Sequence, residues 1–132
     1  MPGNRPSSKP HKPLKPIVFD ILVILARETL HGWGIVKALE EGPGQWKTIL
    51  PGNLYRTLRD MTEKGLIEES DERPQPEEDD ERRRYFRLTE LGRSVAGAEA
   101  RRLRRALEAA NSAQILPADG SLTAGGEGGG TP

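Results

Sequence analysis

The ten residues from Leu50 to Arg59, together with the helical turn that follows them, admit few folds. Leu54, Leu58 and Met61 recur at helical spacing, so an amphipathic helix here turns one apolar stripe inward. Pro51 presets φ for a first helical turn, and Gly52 leaves the backbone bare beside it. Gly65 supplies a stop, after which Leu66 and Ile67 open a strand. The outward positions hold Asn53, Tyr55, Arg56, Thr57 and Arg59. Their side chains can hydrogen-bond phosphates and base edges, so the pattern describes a helix with one buried face and one suited to DNA.

The flanking segments place this helix third in a series. From Ile17 to Glu28, apolar residues cover a broad helical face behind Pro16, which predicts a first helix. Thr29-Leu30-His31-Gly32 is a turn by composition, with His31 as a turn residue. A second helix follows from Trp33 to Glu41 and ends at Gly42-Pro43-Gly44. Beyond the third helix, Leu66 to Glu69 and Arg83 to Thr89 read as the legs of a hairpin. The second leg alternates Tyr85, Arg87 and Thr89 against Phe86 and Leu88. Thr89 then caps a last helix, whose stripe of Leu91, Val95, Leu103 and Leu107 with small alanines runs to about Ile115.

The fold class is therefore mainly α with a small β-hairpin: a winged helix-turn-helix followed by one C-terminal helix. The expected organisation is a disordered basic tail over 1–16, a winged-helix domain over 17–89 with an acidic wing loop at 70–82, a dimerisation helix over 90–115, and a disordered Gly-rich tail over 116–132.

Charge is segregated along the chain. Twenty basic and twenty acidic residues cancel, but nine acids lie between Glu68 and Glu81 against the single Arg73, and nine arginines lie between Arg82 and Leu107 against two acids. Without the acidic loop the molecule is basic, which suits phosphate binding. Absent cysteines exclude disulfides and thiol chemistry. With no apolar run long enough to span a bilayer, the expectation is a soluble cytoplasmic protein with no membrane partner. Two unrelated histidines, no phosphate loop and no clustered ligands point to a non-enzyme with no cofactor and no metal.

Five ordered blocks carry a more specific likeness: Leu30-His31-Gly32-Trp33-Gly34-Ile35; Trp46-Lys47; Pro51-Gly52-Asn53-Leu54-Tyr55-Arg56-Thr57-Leu58; Lys64-Gly65-Leu66-Ile67; and Arg84-Tyr85-Phe86-Arg87-Leu88-Thr89-Glu90-Leu91-Gly92. Over roughly residues 17 to 113 the chain resembles the PadR-like family of bacterial transcriptional regulators, and its single C-terminal helix resembles the short subgroup. The resemblance implies a homodimeric repressor that binds double-stranded DNA. Leu50 stands where the family usually has a capping Ser, Trp33 where it usually has Tyr, and the wing tip is unusually acidic.

Several residues admit two readings. Asn53, Tyr55, Arg56, Thr57 and Arg59 are DNA contacts or an ordinary solvated face with a half-buried tyrosine. Arg56 suits guanine or phosphate equally. Arg83 and Arg84 reach DNA from the wing or pair internally with the acids from Glu77 to Glu81. Trp33 and Trp46 are core residues by default, or, as the family resemblance implies, line a pocket for a flat aromatic effector at the dimer interface. Val95, Leu103, Leu107 and Ala110 suit pairing with a second copy of the chain. Lys12 and Lys15, with Arg5 and Lys9, add affinity for a phosphate backbone or only solubility. The rival to a DNA-binding regulator is a winged-helix protein-protein interaction module.

Overall fold

The structure is a computed structural model that describes residues 12–47, 49, 51–71 and 84–117. Leu50, Arg83, most of the acidic wing loop, His11 and the outer parts of both tails lie outside the described residues. The elements run α1 (Pro16–Arg27), β1 (Leu30–His31), α2 (Gly32–Glu41), α3 (Pro51–Glu63), β2 (Ile67–Ser70), β3 (Tyr85–Leu88) and α4 (Glu90–Ser112). The chain divides into two units between Glu99 and Ala100, so the first turns of α4 belong with the winged helix and the remainder forms the second unit.

The core of the first unit is assembled from the predicted stripes. Ile21, Leu22 and Leu25 of α1, Ile35 and Leu39 of α2, and Leu54, Leu58 and Met61 of α3 are all buried in one cluster. Leu66, Ile67 and Phe86 extend it into the sheet, and Val95 and Ala96 of α4 pack against it. Burying branched aliphatic side chains in this way is worth about 1.5–3 kcal/mol each.

Two expectations are corrected around His31. Leu30-His31 is a strand, not a turn: β1 pairs antiparallel with β3, so the sheet has three strands in the order β1-β3-β2. His31 also caps α2, its Nδ1 accepting the Gly34 N–H at 3.1 Å. The extra strand makes β3 central, which explains why both Tyr85 and Phe86 are buried where simple alternation predicts one of them outward. The Tyr85 ring meets the His31 ring edge-on at 5.2 Å. Trp33 is a further correction, since it is 62% exposed and lies outside the core. Glu99 is fully buried, unlike the other acids of α4.

The junction between α3, the sheet and α4 is closely specified. Gly65 has φ +79°, and the Leu66 and Gly65 amides donate to the Met61 and Thr62 carbonyls at 3.0 Å each, a Schellman closure of α3. Thr89 caps α4 as predicted: its Oγ1 accepts the Gly92 N–H at 2.9 Å and lies 2.6 Å from the Gly65 carbonyl oxygen, to which it donates. At Gly92 the chain comes so close to the Leu66 carbonyl that no side chain fits. The Lys64-Gly65-Leu66 and Thr89-Glu90-Leu91-Gly92 blocks are thus two halves of one contact.

Candidate nucleic-acid interface

The outer face of α3 follows from its inner one. With Leu54, Leu58 and Met61 in the core, helical geometry turns Asn53, Tyr55, Arg56 and Arg59 outward, and all four are exposed. Thr57 is half-buried on the flank toward α1. Arg56 Nη1 donates to Asn53 Oδ1 at 3.3 Å, one turn away, so the two polar residues at the start of the helix act as a pair. The guanidinium keeps further N–H donors available for a base edge or a phosphate.

Tyr55 is 52% exposed, more than the half-buried ring expected. Its ring lies over Gly32: a Cβ there would stand 2.8 Å from the Tyr55 hydroxyl oxygen and 3.2 Å from two ring carbons. Gly32 therefore lets α2 approach α3, and Trp33, Tyr55 and Arg59 share one hollow with Glu63, Glu69 and Arg84. On the other flank of α3, Arg56, Thr57 and Lys64 share a second hollow with Lys12 and Lys15.

The wing is more self-paired than its sequence suggests. Arg87 Nε donates to Glu68 Oε2 at 2.8 Å, its register partner across β2 and β3. Arg84 Nη1 lies 3.7 Å from Glu69 Oε2. The Glu68-Arg87 pair follows only once the register of β2 on β3 is fixed, and the sequence leaves that register open across the long loop between them. Exposed pairs of this kind are worth about 0–1 kcal/mol and exchange readily.

Within one chain Trp33 and Trp46 line separate hollows. Trp46 is partly buried against the core, and its Nε1 donates to Asp20 Oδ2 at 2.7 Å, pinning the linker before α3 to α1. Trp33 lines the hollow beside Tyr55, and Trp46 lines others. Val95 and Ala110 are half-buried, while Leu103 and Leu107 are 39% and 53% exposed. Among the described residues no group of His, Asp or Glu could hold a metal ion, and no helix is long and apolar enough to cross a membrane.

The profile of the transcriptional regulator PadR-like family matches residues 21–98. The chain belongs to that family. PadR-like proteins are DNA-binding transcriptional regulators and not enzymes, which places this chain in that functional class. Among curated proteins none matches. Among solved structures, a PadR family transcription regulator from Clostridium difficile is similar at TM-score 0.61 and 25% identity, over 78% of this chain and 100% of its own. RosR of H. salinarum is similar at TM-score 0.54 and 27% identity, over 81% of this chain and 100% of its own. A PadR-like transcription factor from Bacteroides fragilis shares the fold at TM-score 0.60 and 22% identity, over 74% and 88%. In this PadR-like chain three of the five glycines in those blocks, and Thr89, have direct structural work: Gly32 under Tyr55, Gly65 at the end of α3, and Thr89 with Gly92 at the start of α4.

Proposed function

We propose that this PadR-like chain is a homodimeric, sequence-specific repressor whose α3 enters a major groove of double-stranded DNA. The observation that carries the reading is the exposed face of α3, with Asn53, Tyr55, Arg56 and Arg59 opposite a fully buried Leu54-Leu58-Met61 stripe. In this reading the Arg56-Asn53 pair reads base edges or a neighbouring phosphate, and the Tyr55 hydroxyl, Thr57 and Arg59 bond the backbone. Arg84 reaches DNA by exchanging Glu69 for a phosphate, and Arg83 acts beside it. Leu103 and Leu107, exposed on α4, meet the same residues of a second copy, with Val95 and Ala110 on the same stripe. The sign of regulation rests on the resemblance to the family.

Selection of bound fragments from genomic DNA tests the reading. The expected recovery is a pseudo-palindromic site with half-sites about one helical turn apart, or a multiple of that. Arg56→Ala is expected to weaken binding to that site by about 1–3 kcal/mol, measured by fluorescence anisotropy; an unchanged affinity removes Arg56 from the interface. Transcription from a promoter bearing the site should rise when the protein is deleted, and a fall reverses the sign. Recovery of nothing above background favours a protein-binding module.

A further inference from the structure

The two flanks of α3 carry different charge. On the wing side, Arg59 and Arg84 share their hollow with Glu63 and Glu69, so cations and carboxylates balance. On the α1 side, a hollow of about 600 Å³ brings together Lys12, Lys15, Arg56 and Lys64 with Asp60 as its acid. Asp60 is committed to Lys64, at 3.1 Å one turn along the helix. Among the described residues no ion pair engages Lys12 or Lys15, and both are exposed. An excess of positive charge thus lies along one edge of the face that the proposed function turns to DNA. Phosphates flank a major groove on both sides, and a cationic edge beside a groove-reading helix is complementary to one of those strands.

We propose that Lys12 and Lys15, on the segment leading into α1, bind the phosphate backbone beside the groove occupied by α3, with Arg56 at the boundary between phosphate and base. The contact rests on the groove reading given above. It supplies, from the α1 side, the excess of positive charge that the balanced, self-paired hollow on the wing side lacks. Because lysine binds phosphate as a point charge, the contact adds affinity without adding sequence preference.

The test compares the full chain with the double variant Lys12→Gln/Lys15→Gln, on a selected duplex and on a scrambled duplex of equal length, across a salt titration. Both lysines are exposed, and an unchanged melting temperature verifies the fold. The expected result is a slope of log K against log salt that is shallower by about 0.9 for each phosphate no longer neutralised, on both duplexes alike. The ratio of the two affinities should stay the same. An unchanged slope, with the parent chain still preferring the selected duplex, overturns the lysine contact and leaves the groove reading standing. A weakening confined to the selected duplex also overturns it, because the lysines would then read bases. If the parent chain binds neither duplex, the groove reading falls and the lysine contact with it. A shallower slope in Arg84→Gln/Arg87→Gln instead, with the lysine variant unaffected, moves the phosphate contact to the wing and overturns the proposal.

Discussion

At Gly92 a single added methyl group would run into the Leu66 carbonyl oxygen and come within 2.8 Å of Leu88 Cδ1. The first obstacle is backbone, which cannot rotate aside as a flexible side chain can. Gly92→Ala is therefore expected to destabilise the protein by about 1–3 kcal/mol, read as a lower urea midpoint, although alanine is the better helix former. A midpoint unchanged or raised would mean that α4 shifts freely against β2. Gly97 offers the internal control, since nothing stands within 4 Å of its would-be Cβ. Sequence alone does not separate these two helical glycines; the backbone obstacle at Gly92 is Leu66, more than twenty positions earlier.

At the scale of elements, Thr89 joins three of them: its hydroxyl caps α4 and bonds the turn that closes α3 ahead of β2. Thr89→Ala removes both bonds and leaves the part-buried Gly65 carbonyl short of a donor, so a loss of about 1–2 kcal/mol is expected in the same unfolding assay. Thr89→Ser should recover most of it, and failure of that rescue would assign the effect to the missing methyl group. The cap itself was legible from Thr89 standing before an amphipathic run. The second bond was not, because it depends on β2 and β3 pairing in the register that sets Ile67 opposite Leu88. Likewise, the apolar spacing of α1, α2 and α3 predicted their buried faces, while β1 was hidden: two residues are too few to show alternation, and their strand state depends on β3 lying alongside.

For the whole molecule, the question is how a chain of zero formal charge binds a polyanion. Net charge averages over surfaces that DNA never meets, and what acts is the charge within about a Debye length of the interface. In the described residues that charge is balanced beside the wing and positive beside α1. Leu103→Glu/Leu107→Glu is expected to convert a dimer to a monomer in analytical ultracentrifugation, and to reduce binding at a two-half-site operator toward that of a single half-site. A variant that stays dimeric would place the subunit interface elsewhere.

By itself the sequence determined the three helices, the face each buries, the cap and stop signals at Thr89 and Gly65, and which side chains of α3 point outward. Those properties follow from periodicity and local backbone chemistry, which neighbouring residues carry in full. Tertiary structure alone decided that Leu30-His31 is a strand, that Trp33 is exposed while Glu99 is buried, and that Arg84 and Arg87 face Glu69 and Glu68. It also decided that Lys12 and Lys15 stand beside Arg56. Each of these depends on which distant segments come to lie next to one another, and burial and charge pairing are properties of that proximity, not of any residue taken alone.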